Sequence, residues 1–523
     1  NNLTLYHTMT DFQNEDFLPI EAEDEINQTV EYLAARQPVQ PMSNLAIKIT
    51  PSNGGVFTKD SEFIEMRLNP QHNTFVDGCS TLLNFQFTAK PVKVATDATF
   101  FNCHSASQAM GLFKRITVNI GGLELENITN QNRIFNIMTN LYANGNQLRS
   151  SNTISDLFGV NSTESQANRV GRLVAGNVGV PTSATPTEIP IKVSVPITLS
   201  ALLGPNGRKC LPIGMLREAI VVRFYTVDTS AEAYYALSPS AGTSLALDST
   251  SNFEIKNVSM EVKCIRFDDK QFEYIRNNTP DNMLSWDATA FICNNNNVPP
   301  QNATTQILLG NTNYVDVKSI ICATHYSQIL DGKTLTYESV FPGLFRANIL
   351  CNGQPVLSRQ MGVNNTNNLN DSVPQFAANL VSIARNGLDI FDANTCILPT
   401  DTNANNSVNQ SFSPYASGGL GSGSIFPIDG PADIPNNQGP WPNKSAGVPI
   451  DPAFFVWGLS LLHSQDTSRQ LVGRNLIAKQ VVVEMVKHNQ IPSDSLTQVL
   501  MSILTVGCKY HLNVQTGELR RTL

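Results

Sequence analysis

The residues of this chain best suited to metal binding or proton transfer are its seven histidines, His7, His72, His104, His325, His463, His488 and His511. A zinc-binding helix sets two imidazoles four residues apart, and structural zinc sites use closely spaced cysteine pairs; neither spacing occurs here. Cys103 and His104 are adjacent, which is the wrong separation for joint ligation or for activating a thiolate. Gly419-Leu420-Gly421-Ser422-Gly423 has the glycines of a phosphate-binding loop, but no strand pattern precedes it and no Lys-Ser/Thr follows, so it reads as a flexible loop. A Gly-x-Ser-x-Gly elbow is absent, as is an acidic pair in a recognisable context. The expectation is no catalytic, cofactor-binding or metal site, and hence no enzyme.

What organises the chain is a repeat. Gly111-Leu112-Phe113-Lys114 returns as Gly343-Leu344-Phe345-Arg346, 232 residues later, and a glycine closes each strand ten residues on, at Gly121 and Gly353. A helical pattern follows each: Arg133 to Tyr142, with Ile134, Ile137, Met138 and Leu141 on one stripe, and Pro374 to Asn386, with Phe376, Leu380 and Ile383. Long polar stretches come next, then strand pairs at Ile189–Leu199 and Glu218–Thr226, and at Pro452–Leu462 and Gln480–Lys487. The runs starting at Ile220 and Val481 lie 261 apart, so the loops after the second helix are longer. Four elements in the same order point to two similar β-rich units in tandem.

Composition agrees. Charged residues make up only 15% of the chain, while Asn, Thr, Ser, Gly and Pro fill the connections, as in a loop-rich β protein. A net charge of −8, with basic residues scattered, argues against a broad nucleic-acid-binding face. The nine cysteines (Cys79, Cys103, Cys210, Cys264, Cys293, Cys322, Cys351, Cys396, Cys508) are odd in number and dispersed, which favours buried free thiols in a reducing compartment over a disulfide framework. The longest apolar runs, Phe454–Leu462 and Val499–Cys508, fall short of the about 18 residues of a membrane span. No signal peptide is apparent at the start given.

Residues 1–45 form an acidic arm in which Ile26, Val30 and Leu33 share a helical face, either as a solvated tail or as a stripe that docks on a neighbouring subunit. From residue 46 the period becomes two, as in Leu83, Phe85 and Phe87, then Ile116, Val118 and Ile120, then Val258, Met260, Val262 and Cys264. The divisions expected are a first unit over 46–275 with an insertion at 144–187, a connector at Gln271–Asn282, and a second unit over 276–523 with an insertion at 394–448. Both insertions lack periodicity; they are plain disordered loops or a crown at one end of the molecule. Eight or so strands per unit fit jelly rolls better than immunoglobulin-like sandwiches of about 100 residues. The fold class is all-β: two tandem jelly rolls, eight-stranded β-sandwiches with short helices and long loop insertions.

The stretch Gly111 to Val118, the Gly-Gly turn, Leu123-Glu124-Leu125-Glu126-Asn127-Ile128 and Asn130-Gln131-Asn132-Arg133 resemble the first-half motif of double jelly-roll major capsid proteins. That lineage includes tectiviruses and adenoviruses, and the similarity is greatest to polinton-like viruses and virophages. Gln131 departs from the aromatic residue many relatives carry there. The resemblance implies a homotrimeric, pseudo-hexagonal capsomer of an icosahedral double-stranded DNA virus, located in the virion capsid and assembled inside the host cell. The partners it implies are other copies of the chain, neighbouring capsomers, penton and minor capsid proteins, and an inner membrane or host surface, with no direct binding of nucleic acid. The alternative, a two-domain jelly-roll glycan-binding protein or glycan hydrolase, would need an acidic pair beside aromatic platforms; Trp286, Trp441 and Trp457 have none.

Overall fold

The structure is a computed structural model and describes residues 43–92, 102–106, 109–142, 173–176, 186–204, 210–237, 244–245, 247–298, 304–310, 312–326, 344–356, 361–362, 456–461, 463–464, 471–487 and 498–523. The arm stripe of Ile26, Val30 and Leu33, the second helix at 374–386 and the insertion at 394–448 lie outside these residues.

The strands fall into two sets that do not pair with each other. In the first, one sheet runs β1 (Ser43–Ile49), β14 (Asn252–Arg266), β4 (Thr74–Lys90), β10 (Ile191–Pro196), with β2 (Val56–Phe57) beside β14. Its companion runs β3 (Ile64–Leu68), β11 (Ile220–Thr226), β6 (Phe113–Ile120), β7 (Leu123–Thr129). A smaller sheet runs β13 (Ser244–Leu245), β12 (Tyr234–Leu237), β5 (Asn102–Ser105), β8 (Leu173–Gly176), β9 (Thr187–Glu188).

The second set has one sheet running β15 (Met283–Val298), β25 (Gln498–Asn513), β17 (Val317–Tyr326), β21 (Val456–Ser460), with β26 (Glu518–Thr522) on β25. Its companion runs β16 (Thr304–Leu308), β24 (Val481–Lys487), β18 (Leu344–Cys351), β19 (Gln354–Pro355), with β20 (Met361–Gly362) on β18. A ribbon pairs β22 (His463–Ser464) with β23 (Leu471–Val472). Counting the eight principal strands of each set along the chain, the spatial orders are 1-8-3-6 and 2-7-4-5 in both. Two sheets with these orders are two Greek keys wound together, so each set is a jelly roll and the chain carries two in tandem.

Alternation makes these sheets. Leu83, Phe85 and Phe87 of β4 lie beside Phe253, Ile255 and Met260 of the neighbouring β14 on one sheet face and share one core, and β11 buries Ile220, Val222 and Phe224 while its intervening residues reach the surface. Phe113 meets Phe85 edge-on with ring centroids 5.7 Å apart, tying the two sheets of the first roll together.

The repeated hairpins occupy equivalent places, although their register differs from that of the sequence match. Gly121 and Gly122 form the first turn at φ 57° and 81°; Asn352 and Gly353 form the second at 51° and 74°. Two-residue loops with both residues left-handed match the twist of antiparallel strands. Each strand also has a bulge at its start, at Lys114 between the pairs Phe113↔Thr226 and Arg115↔Tyr225, and at Phe345 between Leu344↔Lys487 and Arg346↔Val486. Phe113 thus corresponds to Leu344, an offset of 231, not the 232 of the Gly-Leu-Phe match. Gly121 corresponds to Asn352, because turn geometry fixes the register and Asn tolerates the left-handed conformation.

Two segments carry regular structure that the sequence pattern did not show. The connector is helical: Asp269–Asn278 is capped by Asp268, which accepts from the Lys270 N–H at 3.2 Å, with Asp269 in its first turn and Arg276 in its last, as the helix dipole favours. The insertion at 144–187 contains β8 and the start of β9, which extend the sheet from β5; strands of four and two residues are too short to show a period.

The first-unit helix runs Gln131–Tyr142, with Ile134, Ile137 and Met138 buried as its spacing predicts. Cys103, Cys264, Cys322, Cys351 and Cys508 are buried free thiols, and Cys293 is free and partly exposed. Burial pushes Cys322 up to about 12 and Cys264 and Cys508 up to about 11, so these thiols stay protonated and inert at neutral pH. Among the described residues no helix is long and apolar enough to cross a membrane.

The turn geometry predicts an asymmetric response at the second hairpin. Gly353→Val places a β-branched residue at φ 74° and should cost about 1–3 kcal/mol in urea unfolding, while Asn352→Gly should leave stability within about 0.5 kcal/mol of the parent. Equal losses from both would contradict a two-residue left-handed turn.

Candidate functional site: the junction between the two units

The junction begins with a bulge in β7. Asn119 pairs with Glu124 and Val118 with Glu126, which leaves Leu125 as the extra residue. The bulge breaks the in-out alternation, so Leu125 and Glu126 are both buried. Glu126 is 2% exposed, and a carboxylate in that position must find donors or be destabilising. It finds four. The Ser200 hydroxyl donates to Oε2 at 2.7 Å and the Ala201 N–H at 3.2 Å; the Leu202 N–H reaches Oε1 at 2.6 Å. The fourth donor, the Tyr510 hydroxyl at 2.6 Å, comes from β25 of the second unit.

Other groups close around this contact. Burial, and next the charge of Glu126, push the Tyr510 hydroxyl well above its ordinary pKa, so it remains a donor. Arg521 of β26 donates from Nη1 to the Leu125 carbonyl at 2.6 Å, and its guanidinium lies 6.0 Å from the Tyr510 ring centroid. Burial works against its charge, yet Tyr510 and Glu126 more than offset this and raise its pKa. On β15, Trp286 stacks on Tyr510 with centroids 5.5 Å apart and planes 23° apart.

Around the polar centre the junction is apolar. Along β17, Ile320 and Cys322 belong to the second unit's own core, whereas Ile321 and Ala323 pack into the core shared with the first unit. On β25, Leu500 and Leu504 face the second core while Met501 and Ile503 face the first. Val499–Cys508 is therefore a long apolar run because its strand is covered on both faces. The turn after β25 docks as well: the Arg217 N–H donates to the Gly517 carbonyl at 3.1 Å. At Gly517, φ is 69°, and an added Cβ would lie 2.5 Å from the Arg217 nitrogen, so only glycine fits this contact. Asn130 Nδ2 donates to Cys293 Sγ at 3.5 Å across the same boundary.

Chemically, this arrangement locks; it does not react. The Glu126 carboxylate is sealed in and its oxygens already accept four hydrogen bonds. His325, buried on β17, is held down to about 3 by burial and, secondarily, by the charge of Arg133 on the first-unit helix, so it is a neutral imidazole rather than a proton carrier. Among the described residues no group of three or more His, Cys, Asp or Glu could hold a metal ion. The candidate arm residues Ile26, Val30 and Leu33 lie outside the described part, and none of the junction residues was among the expected site residues. The available signal was the alternation of Leu123-Glu124-Leu125-Glu126, in which a bulge cannot be distinguished from regular pairing.

Two measurements probe the junction. Glu126→Ala strands donors from both units and should cost about 3–5 kcal/mol in unfolding, whereas Glu126→Gln, which keeps one acceptor, should cost about 1–3 kcal/mol. A loss below about 0.5 kcal/mol for both would contradict the lock. For His325 the folded pKa lies below the unfolded value of 6.5, so its contribution to stability is complete above that pH and is lost as pH falls toward 3. His325→Gln should therefore gain about 2 kcal/mol relative to the parent between about pH 7 and about pH 4.5; parallel stability curves would contradict it.

Scanned against protein-family models the sequence matches none, and a search of curated proteins returns no match. Solved structures do match over nearly the whole chain. The capsid of PBCV-1 virus is similar at TM-score 0.52 and 12% identity, covering 94% of this chain and 98% of that one. A PBCV-1 protein fitted into a reconstruction of the virophage Sputnik matches with the same figures. The Sputnik virophage structure itself matches at TM-score 0.52 and 11% identity, covering 94% of this chain and 90% of that one. The fold of this chain is that of the double jelly-roll capsid proteins.

Proposed function

We propose that this chain is a major capsid protein, the tile of an icosahedral double-stranded DNA virus shell. The observation that carries the reading is the correspondence of both jelly rolls together, in one chain, with the PBCV-1 capsid over 94% of the sequence. The junction supplies the physical sense. A shell tile must keep its shape under lateral load, and a continuous apolar contact around a buried Glu126–Tyr510 hydrogen bond makes two sandwiches into one block. No observation favours the glycan-binding alternative.

On this reading the chain is non-enzymatic and forms homotrimers whose six jelly rolls give a pseudo-hexagonal outline suited to close tiling. Its partners are neighbouring capsomers, with penton and minor capsid proteins at special positions. The acidic arm, residues 1–45, would lay the stripe of Ile26, Val30 and Leu33 on an adjacent subunit, since the segment has no core of its own. The insertions at 144–187 and 394–448 would form the outward crown. With a net charge of −8 the chain is poorly suited to neutralise DNA, which leaves that task to other components.

Size exclusion with light scattering tests the assembly. The purified protein should elute at about three times the 57.1 kDa chain mass and release no sugar from a glycan panel. A stable monomer that hydrolyses glycans would overturn the proposal.

A further inference from the structure

The two rolls share their strand orders, but one end of their cores is filled differently. In the first roll the Ile197 N–H donates to the Thr81 carbonyl, and in the second the Leu461 N–H donates to the Lys318 carbonyl. Six residues beyond these carbonyls stand Phe87 and Thr324, opposite Ile255 and Leu500. Two residues before those partners come Phe253 and Gln498. On the facing sheets, Ile64 opposite Phe224 corresponds to Thr305 opposite Met485, since Phe224 and Met485 each lie two residues before the equivalent ladder positions Thr226 and Lys487. All three positions belong to one end of a roll: in the first, the Lys59 N–H, ahead of β3, donates to Asn252 Oδ1 beside Phe253 at 3.2 Å.

Phe87, Phe253 and Ile64 fill the first core there and are fully buried, the two rings lying 6.0 Å apart between centroids. Their counterparts Thr324, Gln498 and Thr305 are buried as well, at 0%, 4% and 7% exposure. Yet Thr324 Oγ1, Gln498 Oε1 and Thr305 Oγ1 have no hydrogen-bond partner. A buried polar atom that leaves water without gaining a partner is destabilising, so three of them at one end of one core require an explanation. They converge from two facing sheets, where two phenyl rings and an isoleucine are exchanged for shorter side chains. Such an exchange leaves room, and polar atoms line it.

The chemistry of an occupant follows from the lining. It must offer donors as well as acceptors, because hydroxyls use both while Gln498 Oε1 only accepts. It must be uncharged: among the described residues no carboxylate, lysine or arginine is buried in this core, and a lone charge there would be costly. It must be small, because Val298, Met485 and Leu500, the residues paired with Gln498, Thr305 and Thr324, are fully buried apolar neighbours. We propose that this end of the second roll's core is a binding site for a small uncharged molecule carrying hydroxyl or amide groups, held by Thr305, Thr324 and Gln498. The first roll has no such site, since Phe87 and Phe253 occupy its place. A bound molecule completes the hydrogen bonds of the second core and stabilises that roll, whatever assembly the chain enters.

Acrylamide, a small uncharged amide, serves as the probe, and Trp457, fully buried opposite Cys322 in the same core, as the reporter. In the full chain acrylamide should quench a buried tryptophan component along a curve that saturates, whereas iodide at equal ionic strength should not reach it. Thr324→Phe with Gln498→Phe rebuilds the filling of the first roll and should abolish the saturable component while the remaining quenching is unchanged. If that variant fails to fold, Thr305→Val with Thr324→Val decides. It removes two hydroxyls at nearly constant shape and should weaken the saturable quenching about fivefold or more, with melting in probe-free buffer unchanged or raised. Linear quenching of the wild type, as expected if the site holds ordered water alone, would overturn the proposal, and so would saturable quenching that survives unchanged in the variants.

Discussion

A carboxylate shut away from water has to be met by donors, and the donors around Glu126 come from both halves of the chain. The rest of the junction follows from that demand. Ser200, Ala201 and Leu202 must lie against β7 to supply one side, and β25 must bring Tyr510 up to supply the other. Arg521 holds the backbone of the bulge that turned the carboxylate inward. If any partner were displaced, a buried charge would be left short of hydrogen bonds, so the alternatives to the observed docking are costly. Apolar packing by Ile321, Met501 and Ile503 gives the junction its area, and the hydrogen bonds give it a single register.

Duplication explains both the economy of the fold and its asymmetry. Equal strand orders, equivalent bulges at Lys114 and Phe345, and equivalent left-handed turns indicate one scaffold used twice. The scaffold's surfaces then diverged according to what covers them. β25 is apolar on two faces because each face meets a core, whereas its counterpart β14 alternates strictly enough to leave Glu254 and Lys256 accessible. Burial, more than strand propensity, decides the composition of these strands.

Much of the scaffold was legible in the sequence, because half-buried strands announce themselves by period. Leu83, Phe85 and Phe87, or Ile116, Val118 and Ile120, could belong to nothing but an inward face, and the Gly121-Gly122 pair marked the turn from β6 into β7. The second turn was harder to place, since Asn352 performs the role of a glycine and the match of Gly-Leu-Phe motifs is displaced by one residue from true equivalence. Very short strands such as β8 and β9 carry too few residues to show alternation. The junction was not legible at all. Glu126 reads as an ordinary outward residue until the bulge at Leu125 is known, and Tyr510 and Arg521 meet it only because of a docking that local pattern does not encode.

The proposed function makes two jelly rolls, fused into a rigid block by this junction, the unit from which a shell is tiled. Electron cryo-microscopy of the purified full chain addresses that claim most directly. It should show six-lobed particles of three chains, with the two lobes of each chain joined at Glu126, Tyr510 and Arg521 in one fixed orientation. Separate two-lobed chains whose lobes take variable relative orientations would contradict it.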